Sequence, residues 1–347
     1  MATIRDVAQL AGVSIATVSR VLNESTRVSA STRQRVWAAF DDLDFSPNGA
    51  ARSLTTRRTN VLGVLLPDLY GEFFSEVIRG IDLAARRDGL HTLVSSAHAE
   101  KETILSAARS MRGRIDGAIV MAPDASTAEA IQGIRDRFPV VLLNARFDVP
   151  GCSSISIANF EGGYEVVKHL LRLGHDPIAI LKGPTGNIDA EERLRGYRRA
   201  LEEAGIEQDP TLELPGDFSE SSGYRAAGEI LRHHRRPTAV FASNDSMAIG
   251  LICSLVNMGI DVPRSVAVAG FDDVAIARFL TPPLTTAHVD AFRLGERAVA
   301  LLLNALSNES SEPKRENLPC PLVIRETCGA HHVWESGRVQ ARRTKGE

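Results

Sequence analysis

Apolar residues near the amino terminus recur at intervals of three and four, and the pattern restarts twice. Ile4, Val7, Ala8 and Ala11 share one face, which predicts a short amphipathic helix with Thr3 as its N-cap. Gly12 supplies a backbone position free of Cβ restraint, and Ser14 is placed to cap a second helix whose inward residues are Val18, Val21 and Leu22. Ile15, Ala16, Ser19 and Arg20 form its other face. A third helix over 31–43, with Val36, Phe40 and Leu43 inward, closes a small three-helix core. Two short helices joined by a glycine turn are the pattern of a unit that lays its second helix in the DNA major groove. The stretch FSPNGAARSLTTRRT follows, with Ser46 and Pro47 as a cap and first-turn pair. A helix of two turns there is not stable alone, since isolated helices under roughly 12–15 residues are marginal in water. Gly49 costs it about 1 kcal/mol more. It is expected to be ordered only when something holds it.

From Asn60 onward short apolar runs alternate with amphipathic stretches. The runs 61–66, 90–95, 117–122 and 140–143 read as buried parallel strands, with helices between them such as 74–86, where Phe74, Val77, Ile78, Ile81 and Ala85 share one side. A second series follows: helix 161–173, strand 178–182, helix 189–204, strand 212–214, helix 221–233, strand 238–242, helix 246–258 and strand 266–270. Two βαβ series of similar size imply two doubly wound lobes. Such sheets bind ligands beyond the carboxyl ends of their strands, which puts a ligand in the cleft between lobes.

Composition leaves this reading intact. The chain has 347 residues, 44% of them hydrophobic and 5% aromatic, ordinary for an α/β protein of more than one domain. Net charge is −3, but residues 1–58 hold eight Arg, no Lys and five acids, a balance of +3 that leaves −6 for the rest. The sign suits DNA, and because the surplus is modest, helix N-termini and hydroxyls must supply much of the phosphate contact. Cys152, Cys253, Cys320 and Cys328 show no short paired spacing and are expected to be reduced core thiols. Cys328 with His331 and His332 lacks a fourth ligand nearby, so no metal is expected. The amino terminus lacks a charged-then-apolar signal segment, and no apolar run approaches the ~18 residues of a membrane span. A cytoplasmic protein that does not engage a membrane is expected. The absence of GxxxxGK, GxSxG and GxGxxG argues against an enzyme, and no cofactor is expected.

Polar residues gather just after the strand ends of the second series. Asn187, Asp189 and Arg193 follow the 178–182 run, Phe218 follows Leu214, Asn244 and Asp245 follow Ala242, and Phe271 and Asp272 follow Gly270. Carboxylates, amides, an arginine and aromatic rings together suit a polyhydroxylated ligand, offering directional partners for hydroxyls and flat faces for C–H groups. Simpler roles stay open for each. Asp189 and Asn244 also suit helix caps, and Arg193 suits an ion pair with Glu192 or Asp189 on a solvated face.

The segments DVAQLAGVSIATVSRVLN and VSASTRQRVWAAFDDLDFSPNGAARSL, with the periodic chain that continues to about residue 328, resemble the LacI/GalR family of bacterial transcription regulators. The resemblance implies an all-α helix-turn-helix domain at 1–46 and a hinge helix and linker at 47–59. A two-lobed, periplasmic-binding-protein-like (type I) α/β clamshell follows at 60–330, then a polar tail at 331–347. The amino-terminal lobe is expected at about 60–159 and 291–319 and the other at about 160–290 and 320–330, with crossing strands near 158–162, 288–292 and 318–322. On DNA, the matching base-reading residues are Ile15, Ala16 and Arg20, Thr17 matches a phosphate contact, and Ser14, Ser19 and Asn23 complete the surface. Asn48, Ala51 and Leu54 are the hinge contacts, with Leu54 as the wedge that opens a central base step in the minor groove. Phe73, Phe74, Asn144, Asn187, Asp189, Arg193, Phe218, Asn244 and Asp272 match effector contacts, and Asp68 and Arg146 are further candidates.

The implied function is a homodimeric repressor on a pseudo-palindromic operator of double-stranded DNA, released by a small-molecule effector, with a carbohydrate expected. A purine- or nucleoside-responsive repressor with corepressor logic and an activator are the alternatives. Ala145 follows Asn144 where some purine-responsive relatives carry an aromatic ring. No leucine heptad follows residue 330, so no tetramer-forming tail is expected.

Overall fold

The computed structural model describes residues 2–22, 27–45, 58–96, 101–121, 127–145, 149–307 and 312–330. The expected hinge helix, apart from its last two residues, and the tail at 331–347 lie outside these residues, as do Asn23, Asn48, Ala51, Leu54, Arg146, His331 and His332. The chain divides into two compact units, Met1–Thr59 and Asn60–Glu347.

The first unit holds α1 (Ile4–Leu10), α2 (Ile15–Leu22) and α3 (Ala30–Asp42). Thr3 caps α1 reciprocally: its N–H donates to Asp6 Oδ2 at 2.7 Å, and the Asp6 N–H donates to Thr3 Oγ1 at 3.4 Å. Gly12 turns the chain at φ +64°. Ser14 Oγ then accepts from the Thr17 N–H at 3.1 Å and opens α2. Val7, Val18, Val21 and Val36 are fully buried, with Ala8, Ala11, Ala39 and Phe40 around them, and Phe40 stacks on Phe45 at 5.3 Å. The third helix begins one residue before the predicted span because Ser29 caps it, accepting from the Thr32 N–H.

The second unit contains two six-stranded sheets. One lobe comprises β1 (Val61–Leu66), α4 (Glu72–Arg87), β2 (His91–Ser96), α5 (Lys101–Met111), β3 (Gly117–Met121), α6 (Ala128–Arg135), β4 (Val140–Leu143) and β5 (Ser153–Ile157). The other begins with α7 (Asn159–Arg172), β6 (Ile178–Leu181), α8 (Ile188–Glu203) and β7 (Glu213–Leu214). It continues through α9 (Glu220–Arg232), β8 (Ala239–Ala242), α10 (Asp245–Asn257), β9 (Ala267–Asp272) and β10 (Thr285–His288). The chain then returns to the first lobe as α11 (Ala291–Leu306) and β11 (Arg315–Leu318), and ends in the second as β12 (Leu322–Val323). Strand orders are β11-β5-β4-β3-β1-β2 and β12-β10-β9-β8-β6-β7, and every pairing is parallel except β10 with β12.

Several local expectations need correction. The three passages between lobes are short connectors from β5 to α7, β10 to α11 and β11 to β12, not continuous crossing strands. Pro210–Leu212 is a 3-10 turn, set by the Asp209 carboxylate accepting from the Thr211 N–H, and only Glu213–Leu214 pairs as strand. Cys253 is exposed, since it falls on the outer side of α10 while Leu251, Ile252, Ser254 and Leu255 turn inward; the other three cysteines are buried. Cys328 Sγ lies 3.3 Å from His169 Nε2.

Three helix pairs meet through reciprocal glycines: Gly80 and Gly295 join α4 to α11, Gly163 and Gly196 join α7 to α8, and Gly223 and Gly250 join α9 to α10. At each, an added Cβ falls inside contact distance of the facing backbone, which does not yield as a side chain does. The α7–α8 pair sets the site, because Gly163 lies against the backbone of Arg193. Gly295→Ala is expected to cost about 1–3 kcal/mol through overpacking, read as a lowered urea midpoint; an unchanged midpoint contradicts this contact.

Candidate DNA-reading helix and effector cleft

The outer face of α2 presents Ser14, Ile15, Ala16 and Arg20 to solvent, with Thr17 and Ser19 half-buried. Ile15 is 45% exposed, an apolar side chain left outside a core that encloses its neighbours Val18 and Val21. Thr17 Oγ1 sits 2.9 Å from Ser14 Oγ, so both hydroxyls gather at the N-terminus of α2, where backbone N–H groups also face outward. Arg20 lies one and a half turns further along the same helix, and its guanidinium has the geometry to fork onto guanine O6 and N7.

In the second unit, one cleft of about 210 Å³ is lined by all nine of the effector positions named from the sequence, and by Asp68. Phe73 and Phe74 come from the first turn of α4 and meet edge to face at 5.4 Å. Asn144 follows β4 from the same lobe. The remaining residues stand where strands β6, β7, β8 and β9 end and helices begin. Asn187 caps α8, accepting from the Ala190 N–H at 3.0 Å, and Asn244 caps α10, accepting from the Met247 N–H at 3.0 Å. The Asn244 amide also donates to the Phe218 carbonyl at 3.0 Å, which fixes that ring's backbone. Asp68 Oδ1 accepts from the Leu69 and Tyr70 N–H groups at 2.6 and 3.0 Å.

Asp189 is not the cap. Its carboxylate is buried and accepts from Asn144 Nδ2 at 3.2 Å and Asn159 Nδ2 at 2.7 Å, so one side chain is shared by both lobes. Arg193 is not on a solvated face either. It is 5% exposed, lies 3.7 Å over the Phe271 ring, donates from Nε to Asn159 Oδ1 at 2.8 Å and from a terminal nitrogen to the Ser243 carbonyl, and reaches Asp272 Oδ1 at 3.5 Å. Glu192 pairs with Arg195 instead. Asn159, which joins the aspartate to the arginine, escaped the sequence reading because β5, the strand it follows, is broken by Ser153, Ser154 and Ser156 and left no strand end to mark it. Among the described residues Asn144 Oδ1 is buried without a hydrogen-bond partner, an unmet acceptor on a side chain that lines the cleft.

Charge and backbone are both under stress here. Burial pushes the Asp272 carboxyl up to about 7 against the pull of the Arg193 cation, and the Asp189 carboxylate pushes the same way. Burial also holds Asp245 well above the usual carboxylate range, with Asp272 adding to it and the Thr286 hydroxyl opposing it. Asn144, Phe218 and Asp272 have positive φ angles of 49°, 67° and 114°. Such values are uncommon outside glycine and collect where a site holds side chains in place.

The family model for bacterial regulatory proteins of the lacI family matches residues 3–48, and the periplasmic binding protein-like domain matches 167–328. An HTH-type transcriptional repressor PurR from Vibrio atlanticus is 35% identical over 331 residues, covering 94% of this chain and 98% of that protein. The chain belongs to the LacI family. A lac repressor dimer bound to operator and the anti-inducer ONPF shares its fold at a TM-score of 0.86 and 32% identity, covering 94% of this chain and 99% of that one. A complex of the transcriptional regulator CelR with cellobiose aligns at 0.71 and 31% identity, covering 94% and 100%. As a LacI-family member the chain is a DNA-binding transcriptional repressor and not an enzyme. Among the described residues no helix is long and apolar enough to cross a membrane.

Because the Asp272 pKa rises from 3.8 to about 7 on folding, its stabilising contribution is complete below its unfolded value and is lost as pH climbs through about 7. The wild type without effector is therefore expected to lose melting temperature relative to Asp272→Asn between about pH 4 and 8. A difference that stays constant with pH removes the buried carboxyl from the account.

Proposed function

We propose that this repressor acts as a homodimer on a pseudo-palindromic operator and that a small polyhydroxylated molecule, a single-ring sugar, occupies the cleft and releases the DNA. The observation that carries this is one cleft lined by Asn144, Asp189, Arg193 and Asp272 together with Phe73, Phe74 and Phe218, in which Asn144 Oδ1 has no partner among the described residues. A volume of about 210 Å³ lies below the roughly 300–1,000 Å³ of drug-sized sites, which favours one ring over two. A purine effector is the second reading. It is favoured by the 35% identity to a repressor named PurR and by the rings of Phe74 and Phe218, which suit a flat base. Ala145, buried and small, offers no further ring for stacking.

On the DNA, α2 reads the major groove with Ile15, Ala16 and Arg20, supported by Ser14, Thr17, Ser19 and Asn23. Asn48, Ala51 and Leu54 form the hinge contact in the minor groove. The domain limits at 46, 59 and 330 and the lobe divisions near 159, 290 and 319 belong to the same reading. The protein works where the chromosome is.

Operators selected from a randomised duplex library allow the test. With sugars and nucleobases added in turn, a monosaccharide is expected to raise the melting temperature and weaken operator affinity about 5- to 150-fold, the usual span of a 1–3 kcal/mol coupling. A purine that raises the melting temperature and tightens operator binding replaces the sugar. Leu54→Ala is expected to weaken operator binding while leaving the ligand's thermal shift in place; unchanged operator affinity removes the wedge.

A further inference from the structure

We propose that the end of the first lobe at which its strands begin is a second DNA-contacting surface, which grips phosphates flanking the operator. This rests on the repressor function above. All six strands of that sheet run parallel, so the turns that lead into them share one end. Those turns, with the helix ends and the strand start beside them, are basic. Arg86 and Arg87 end α4 before β2, Arg112 and Arg114 precede β3, Arg135 ends α6 and Arg137 precedes β4, and Lys314 and Arg315 open β11. All eight are exposed, against four carboxylates in the turns, Asp88, Asp116, Asp136 and Glu312. The turns leaving the strands of this lobe, where described, hold Asp68 and no Lys or Arg.

Some of this charge is already used. Arg86 pairs with Asp82 and Arg87 with Glu296, each at 2.8 Å, and Arg135 reaches Asp136 only at 3.7 Å. Asp116 is itself committed, accepting from the Asn60 N–H at 2.8 Å. Arg112, Arg114, Arg137 and Lys314 have no ion pair among the described residues. Arg135, Arg137 and Lys314 border a single groove of about 620 Å³.

The spread of the cations selects the ligand class. They run the width of a six-stranded sheet, five spacings of about 4.8 Å or about 24 Å in all. That span matches about seven base pairs of duplex and about fourteen phosphates. A compact anion requires convergence on one point, whereas an extended polyanion requires this spacing. The chain also reaches β1 from the helix-turn-helix unit at this end: Phe45 and Arg58 are 13 positions apart, at most about 45 Å when extended.

The test compares two duplexes carrying the same library-selected site, one ending at the site's edges and one extended by about 15 base pairs on each side, well over one helical turn. The wild type is expected to bind the longer duplex at least about 5-fold tighter, with a salt slope steeper by about 0.9 for each added phosphate contact. Substituting Arg112→Gln, Arg114→Gln and Arg137→Gln together is expected to abolish the length advantage and leave short-duplex affinity and melting temperature unchanged. Equal wild-type affinity for both duplexes, or a variant that weakens both alike, overturns the proposal while short-duplex binding keeps the repressor function standing. Failure of the wild type to select or bind any duplex overturns both.

Discussion

A buried carboxylate has to be hydrogen-bonded, and the fold meets that demand for Asp189 with one donor from each lobe. Asn144, held at the end of β4 with a positive φ, and Asn159, the first residue of α7, converge on its two oxygens. Asn159 passes the link to Arg193, and Arg193, pressed on Phe271, passes it to Asp272. Leaving any one of these groups unpartnered in a low-dielectric interior costs several kcal/mol, so the chain of contacts holds as a set. The distance between lobes is thereby tied to the hydrogen bonds available inside the cleft. A ligand that satisfies Asn144 or Asp189 itself changes that count, and the lobes must answer.

Under the proposed effector role, the same arrangement is what gives the cleft its discrimination. The guanidinium, the two carboxylates and the asparagine amide nitrogens have fixed partners, so a ligand placed there meets groups already aimed, with little ordering left to do. Asp272 sits between charge states because desolvation and the Arg193 cation oppose each other across it. Close approach of the helices through Gly163 and Gly196 keeps Arg193 in that position, which links an apolar packing contact to the polar site. A small differential affinity of this kind, 1–3 kcal/mol in typical cases, is enough to move a repressor between bound and released states when its DNA contacts are individually weak.

Much of this was legible in residue order. The alternation of apolar runs placed the strands β1, β3, β4, β6, β8 and β9 to within about two residues, because strands buried on both faces are continuous in hydrophobicity. Strand ends then pointed to the cleft positions, since a parallel sheet gathers its carboxyl ends on one side. β5 was not legible: Ser153, Ser154 and Ser156 interrupt its apolar positions. Nor did spacing separate Asn187 from Asp189, two helix-start residues of which one caps and the other spans the lobes. That division depends on Asn144 arriving from 45 positions away. The side of α8 on which Arg193 lies was equally hidden, because an arginine buried on an aromatic ring looks, in sequence, like one in solvent.

The most direct test of the lobe-to-lobe link is a distance distribution between spin labels on α5 and α9 in the protein without ligand, compared with Asn144→Ala. The link through Asp189 requires one narrow distance in the wild type and a broader, longer one in the variant, with both proteins folded. Identical distributions contradict it.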